Sequence, residues 1–291
     1  MDSVLSADGR RPARRDQCTP LFPHACNDPN VEAITKAIPE SFCDNRHEMT
    51  RRRWIADTWD EGTASLTGEQ ASHLIRVLRA QAGMKYDIVA GDRVWHAVIA
   101  GISGDSVRFN LVAEAEADPA LPITLLLSIF KFDRLEWAIE KATELGVERI
   151  VPVIARRSEK HLVQSAEKRV ERWRRIAREA AQQSRRSDVP IIEDVLPLKT
   201  AARQSNSVVR LLLAEQERAT TLRHAIEEAL RNSGDEMPDV RMAVGPEGGW
   251  TAEEEALFDA EGWKPVSLGP RILRAETAAM TATAVVAALF E

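Results

Sequence analysis

The sequence is poor in cysteine and contains no long apolar run. Its three cysteines, Cys18, Cys26 and Cys43, all lie in the first 48 of the 291 residues. The rest of the chain can therefore form neither a disulfide framework nor a thiolate metal site, which is typical of a reducing, cytoplasmic compartment. No run approaches the roughly 18 apolar residues of a membrane-spanning helix, and the N-terminus lacks the apolar core of a secretory signal. We therefore expect no membrane partner.

Other absences narrow the classes of ligand. Tyr86 is the only tyrosine, so a surface that stacks several bases on aromatic rings is not expected. The dinucleotide pattern G-x-G-x-x-G is missing, and no glycine loop is followed by the Lys-Ser/Thr pair of a P-loop. The histidines and cysteines near the N-terminus have spacings that fit no standard zinc pattern, so we expect no metal site.

Charge is distributed unevenly along the chain. The net charge is −6, yet residues 156–186 hold eleven Lys/Arg and only four acidic residues. A basic stretch inside an acidic protein indicates a polyanionic partner more strongly than the total charge argues against one. Apolar residues make up 44% of the chain and charged residues 29%. This balance is typical of a folded protein, and the length favours two domains.

Three segments differ in composition and define the predicted domains. Residues 1–48 contain five prolines and little periodicity, so we expect a disordered extension, either a dispensable tail or the result of a misassigned start. Residues 49–118 show short strand patterns around one helix, which predicts a small β-barrel. After the linker-like DPALP, residues 122–291 alternate strand and helix patterns. This alternation predicts an α/β domain with a mostly parallel sheet and helices on both faces.

Local signals place some helix ends. Thr67 precedes the helical pattern of the barrel segment, and Gln70 follows three residues later, as in a capping box. In the second domain, Gly146 is suited to end a helix. Residues 165–184 predict one long basic helix.

Three strand patterns in the C-terminal half end in polar or glycine-rich loops. They are LLLAEQ (211–216), AVGPEGGW (243–250) and SLGPRILRAETA (267–278). Thr251 and Glu254 then form a predicted capping box, so the second pattern reads as strand, glycine loop and helix. Glycines allow the backbone to approach a ligand, although a tight turn would use them too. Ligands of parallel sheets bind beyond the carboxyl ends of the strands, and these three ends could share one pocket.

The third pattern carries charge at a strand end. Arg271, Arg274 and Glu276 would be unfavourable there unless they are paired or bound to a ligand. The simplest arrangement is a salt bridge between Arg274 and Glu276.

Together these motifs resemble the ribosomal small subunit methyltransferase E family of the SPOUT superfamily. The resemblance rests on the order LLLAEQ, VGPEGGW and LGPRILRAETA, and it covers about residues 49–291. Its further matches are residues 66–83, 131–153 and 172–186, whereas Arg156 and Ala275 depart from the residues usual in the family. The resemblance implies S-adenosylmethionine as cofactor, and N3 of a uridine in 16S rRNA of the small ribosomal subunit as target. It also implies a PUA-like RNA-binding barrel, a C-terminal trefoil knot and a homodimer.

The resemblance further implies the site residues. Arg274 and Arg271 are predicted to stabilise the uracil oxygens or to bind phosphate. Glu276 would orient an arginine or act as the base, and the first role is favoured because neighbouring arginines keep a carboxylate ionised. The predicted cofactor pocket consists of Leu213, Glu215, Val244, Gly245, Glu247, Gly248, Gly249, Leu268, Gly269, Ile272 and Leu273.

Basic side chains recur at helical spacing in two of the predicted helices. A basic helix is usually a solvated face, but the shortage of acidic residues and the resemblance favour contact with phosphates. His73 taken alone could be a structural histidine. The predicted RNA-binding residues are Arg52, Arg53, His73, Arg76, Arg79, Arg172, Arg178, Arg185 and Arg186.

Two other functions stay open. One is another SPOUT methyltransferase that acts on a ribose 2′-hydroxyl or on tRNA. The other is an RNA-binding protein with a catalytically inactive methyltransferase fold. The glycine loop and Arg274 argue against the inactive protein, and binding of S-adenosylmethionine would separate it from an enzyme.

Overall fold

The structure, a computed structural model, describes residues 52–91, 93–204, 209–234 and 236–290. The predicted disordered extension, residues 1–48, lies outside the described residues. So does Arg51, which precedes the first strand.

The N-terminal part forms a six-stranded sheet, which we call the N-terminal sheet. Its strand order is β1-β4-β5-β6-β3-β2, and all pairs are antiparallel except β1 with β4. Large apolar side chains of the strands and of the helix that follows β3, such as Trp54, Leu74 and Phe109, form its buried core. The strands are β1 (Trp54–Ile55), β2 (Thr58–Trp59), β3 (Thr63–Thr67), β4 (Lys85–Ala90), β5 (Arg93–Ser103) and β6 (Ser106–Ala115).

The C-terminal part forms a parallel sheet, which we call the C-terminal sheet. Its strand order is β10-β8-β7-β12-β11-β13, with β9 paired to β8, and every pair is parallel. The predicted parallel α/β arrangement is confirmed. The strands are β7 (Leu121–Ser128), β8 (Val147–Ile154), β9 (Ile191–Ile192), β10 (Leu196–Pro197), β11 (Val209–Leu213), β12 (Val240–Val244) and β13 (Lys264–Val266).

Helices cover both faces of the C-terminal sheet. One face packs on α2, α4, α6 and α8 through a large apolar core, and the other packs on α5 and α7. In the part of the chain that the structure describes, no helix is both long and apolar enough to cross a bilayer. The helices are α1 (Gly68–Arg76), α2 (Phe132–Glu144), α3 (Lys160–Ala166), α4 (Val170–Gln183), α5 (Leu198–Arg203), α6 (Leu222–Ser233), α7 (Ala252–Ala260) and α8 (Ala275–Phe290).

Some local predictions hold and others fail. The capping box of Thr251 and Glu254 is present at the start of α7, and Gly146 follows α2 with φ +91°. Thr67 precedes α1 but makes no side-chain cap; its hydroxyl donates to Asp57 Oδ2 at 3.1 Å instead. The predicted long basic helix is divided into α3, one 3₁₀ turn and α4.

The N-terminal sheet packs on α4. Ile55 and Val89 from the sheet share a small apolar cluster with Ala181 of α4. Beside it, Arg178 Nη2 donates to the Ile55 carbonyl at 2.8 Å and to Asp57 Oδ1 at 2.9 Å. The helix with the strongest basic character therefore directs part of its charge at the protein itself.

Candidate active site

Three loops at the carboxyl ends of β11, β12 and β13 meet around one pocket. The convergence follows from the sheet order, because β11 lies between β12 and β13. The pocket has a cavity volume of about 160 Å³ and opens to solvent at its mouth. Its lining residues are Arg157, Leu213, Ala214, Glu215, Gln216, Val244, Gly245, Pro246, Glu247, Gly248, Gly249, Trp250, Glu255, Val266, Ser267, Leu268, Gly269, Arg271, Leu273, Ala275 and Ala278.

The structure brings the predicted cofactor residues together with one exception. Ile272 lies outside the lining, with its side chain 77% exposed. Sequence reasoning missed Arg157, Trp250 and Ser267, which also line the pocket. Trp250 and Ser267 belong to the motifs at 243–250 and 267–278, whereas Arg157 follows β8 and carries no local signal of a role here.

Trp250, in the loop that follows β12, contacts the end of β11, where the LLLAEQ loop begins. Its indole Nε1 donates to the Leu213 carbonyl at 3.2 Å, and its ring is 7% exposed. A Cβ on Gly245 would stand 3.2 Å from that ring, a tight contact that would require the ring or the loop to shift by a few tenths of an ångström. Glycine at position 245 therefore gives the loop its close approach to the protein's own tryptophan.

The third loop is closed by a small turn. Gly269 has φ +114°, a conformation that other residues rarely adopt. Its N–H donates to Ser267 Oγ at 3.1 Å. This turn aims the following residues, including Arg271 and Leu273, at the pocket.

Arg157 and Glu254 attach the end of β8 to the glycine loop, residues 245–250. Arg157 Nη1 donates to the carbonyls of Gly248 at 2.7 Å and Trp250 at 2.9 Å. The Glu254 carboxylate is buried and accepts from the backbone N–H of Arg156 at 2.6 Å and of Thr251 at 2.9 Å. Two segments far apart in sequence therefore fix one loop.

The predicted catalytic residues do not pair as the simplest arrangement would have it. Glu276 is 4% exposed and lies 3.5 Å from Arg134, which also donates to Glu247 of the glycine loop at 3.3 Å. The other carboxylate oxygen of Glu276, Oε2, is buried without a hydrogen-bond partner in the part of the chain that the structure describes. Arg274 is exposed and makes no ion pair among the described residues, and it is not in the pocket lining, whereas Arg271 is.

Three of the predicted RNA-binding residues lie exposed on or near α1. His73 and Arg76 belong to the helix, and Arg76 approaches Asp105 only at 3.9 Å with both side chains largely exposed. Arg79 lies beyond the helix end, with φ +53°. The even helical spacing expected for the three thus stops at Arg76.

The other predicted RNA-binding residues contact the protein itself. Arg172 forms a two-pronged pair with Glu136, at 2.8 and 2.9 Å. Arg52 lies over the Trp54 ring at 5.3 Å, and Arg185 pairs with Asp87 at 3.2 Å.

Arg53 and Arg186 are partly or largely withdrawn from solvent. Arg53 donates to the carbonyls of Arg185 and Glu116, and burial lowers the pKa of its guanidinium. Arg186 is buried, donates to the carbonyls of Thr143 and Val147 at 2.8 and 2.9 Å, and pairs with Asp188. Because its guanidinium is already occupied, we leave Arg186 out of any proposed RNA surface.

Comparison with known proteins gives consistent matches. A profile of the RNA methyltransferase domain matches residues 117–287, and a profile of the RNA methyltransferase PUA domain matches residues 66–112. Ribosomal RNA small subunit methyltransferase E of Synechocystis sp. is 33% identical over 79% of this chain and 75% of its own length. The protein of that name from Bacillus subtilis is 33% identical over 76% of this chain and 88% of its own.

A solved structure is similar to most of the chain. Ribosomal RNA small subunit methyltransferase E from Neisseria gonorrhoeae, bound to S-adenosyl methionine, has a TM-score of 0.70 and 30% sequence identity. The match covers 82% of this chain and 97% of that one. The RNA methyltransferase profile, which matches residues 117–287, spans all three pocket loops.

Proposed function

Because the chain belongs to the ribosomal RNA small subunit methyltransferase E family, we propose that it methylates N3 of a specific uridine in 16S rRNA. An S-adenosylmethionine-dependent rRNA methyltransferase follows from membership of the family, and the atom and the base are the finer part of the proposal. The observation that carries it is the meeting of the three loops LLLAEQ, VGPEGGW and LGPRILRAETA around one pocket.

The cofactor is S-adenosylmethionine, which supplies an activated methyl group. The pocket suits it because the loops present backbone and glycine rather than bulky side chains at Gly249 and Gly269. Leu213, Val266 and Leu268 add apolar walls. Methyl transfer is a displacement at carbon, so the main task of these residues is to position the reactants.

The residues of the third loop act on the uracil. N3 of uracil carries a proton and is a poor nucleophile until that proton leaves. Methylation at N3 therefore needs a group that accepts the proton and a group that stabilises the negative charge on the uracil ring. Arg274 and Arg271 stabilise negative charge on the uracil oxygens, since both are exposed where the loop enters α8. Glu276 has a positioning role through Arg134 and Glu247, supported by the 3.5 and 3.3 Å contacts.

RNA binding involves exposed cations that lie on α1 and directly after it. His73, Arg76 and Arg79 are the best candidates because their side chains are exposed and at most weakly paired. Arg52 and Arg172 are second candidates, since a phosphate would have to compete with their contacts to Trp54 and Glu136. N3 lies on the pairing edge of uracil, so the target must be unpaired or flipped out.

The proposal includes a homodimer, a trefoil knot, a cytoplasmic location and the division at residues 49–118 and 122–291. The knot is supported by the path of α8, which returns from the edge strand β13 to the middle strands β7 and β12. The dimer is supported by the small, incompletely buried residues of α8, such as Ala284 and Ala288. Sedimentation of wild type and Ala288→Arg tests the dimer, which should dissociate in the variant.

Nucleoside analysis of rRNA tests the proposed reaction. 16S rRNA from a deletion strain should lack one 3-methyluridine, and the wild-type gene should restore it. Loss of a ribose-methylated nucleoside or of a tRNA modification would instead support another SPOUT methyltransferase. No change in any nucleoside, together with retained RNA binding, would support the inactive RNA-binding protein.

A further inference from the structure

We infer that Arg157 is a positioning residue for the cofactor, because it holds the glycine loop in the shape that binds S-adenosylmethionine. This inference rests on the proposed function, since it takes the pocket as the cofactor site. Arg157 follows β8 and is 91 residues from Gly248, so it acts on the loop from a separate element.

Arg157 closes the loop with one nitrogen. Nη1 donates to the Gly248 and Trp250 carbonyls at 2.7 and 2.9 Å. These carbonyls flank Gly249, which has φ +68° and whose own N–H donates to the Pro246 carbonyl at 2.8 Å. Charge-assisted bonds of this kind are stronger than neutral ones. The left-handed turn at Gly249 is thus held from both sides.

The stem of the arginine also packs against the loop. A Cβ on Gly248 would lie 3.2 Å from Arg157 Cδ and 3.3 Å from Arg157 Cβ. Such contacts are tight, so a residue larger than glycine would require the loop or the arginine to shift by a few tenths of an ångström. Gly248 and Arg157 are therefore packed against each other, and the two residues should behave as a pair.

The backbone on each side of Arg157 is anchored. The Arg156 N–H donates to the buried Glu254 carboxylate at 2.6 Å. Ser158 Oγ donates to the Ile129 carbonyl at 2.7 Å, and both atoms are buried. The backbone of Arg157 is therefore held in place on both sides, so its side chain can determine the position of the glycine loop.

Calorimetric titration of two ligands tests the inference. Arg157→Ala should weaken binding of S-adenosylmethionine and of 5′-methylthioadenosine, which lacks the amino-acid part, by the same factor of about tenfold or more. Arg157→Lys should recover most of the affinity, because one ammonium can donate to both carbonyls. Arg156→Ala is the matched control, since it removes a neighbouring exposed charge, and it should leave both affinities within about twofold. In steady-state assays, Arg157→Ala should raise KM for the cofactor and leave kcat at saturation nearly unchanged.

Gly248→Ala provides a second route, which perturbs the same contact while residue 157 remains an arginine. It should weaken both ligands equally, and its effect should not add to that of Arg157→Ala. Unchanged affinities in Arg157→Ala would overturn the inference. A loss confined to S-adenosylmethionine would overturn it too, since Arg157 would then contact the amino-acid part directly. Failure of the wild type to bind either ligand would instead refute the proposed cofactor site.

Discussion

Arg178 offers a test between two roles for the basic helix α4. Its guanidinium donates to the Ile55 and Ala56 carbonyls at 2.8 and 3.4 Å and to Asp57 at 2.9 Å. Hydrogen bonds that involve a charged group each contribute about 1.5–3 kcal/mol. The pair is about one-third exposed, so we expect Arg178→Ala to reduce the free energy of unfolding by about 1.5–3 kcal/mol in total.

This loss should be visible in thermal unfolding. For a protein of this size, each kcal/mol shifts Tm by roughly 2–4 °C, so Arg178→Ala should lower Tm by roughly 3–12 °C. Arg175→Ala is the matched control, because Arg175 is exposed on the same helix and makes no ion pair among the described residues. A double-mutant cycle with Asp57→Ala should give a coupling of about 1 kcal/mol.

The salt dependence of RNA affinity distinguishes the structural role of Arg178 from a role in phosphate contact. If Arg178 holds the N-terminal sheet against α4, the log–log salt dependence of RNA affinity should be the same in wild type and variant, measured below Tm. If Arg178 contacts a phosphate, the slope should fall by about 0.7–0.9. An unchanged Tm together with a reduced slope would refute the structural role.

Arg274→Ala should lower single-turnover methylation by about 10²–10³, as loss of a preorganised charged donor does, with Tm unchanged; a near wild-type rate would remove Arg274 from the reaction. A chain that begins at Met49 should keep its Tm and activity, and a loss of several degrees would contradict a dispensable extension. Backbone N–H bonds from Gly62 and Thr63 lower the pKa of Asp60, so ionised Asp60 stabilises the turn above its unfolded pKa, and this contribution is lost as pH falls through its folded pKa. The Tm difference between wild type and Asp60→Ala should therefore shrink from about pH 7 to about pH 2, and a constant difference would contradict it.

The loops of the pocket could be predicted because their signals are contiguous in sequence. Glycines, a proline and a capping box mark the end of β12, and similar polar residues follow β11 and β13. Ile272 was expected in the pocket lining and lies outside it, because position in a loop does not fix the direction of a side chain. It lies between the lining residues Arg271 and Leu273 yet faces away from the pocket.

The roles of the arginines could not be predicted, because they depend on partners distant in sequence. The basic composition of residues 156–186 is real, but composition does not show that Arg186 is buried against two carbonyls or that Arg178 reaches Asp57. The Arg274–Glu276 pair was expected from closeness in sequence. Glu276 instead faces Arg134 on α2, because α8 packs on α2.

The glycines of the glycine loop contribute to ligand binding indirectly, through the side chains of the protein that pack against them. Glycines in such a loop suggest that the backbone approaches a ligand, yet the space beside Gly245 and Gly248 is taken by Trp250 and Arg157. These two side chains in turn bond to the first loop and to the glycine loop itself. The glycines therefore allow the protein to brace the loop before any ligand arrives, and a braced loop loses less conformational freedom on binding. It follows that substitutions at Arg157 or Trp250 should affect ligand affinity as strongly as substitutions at the glycines themselves.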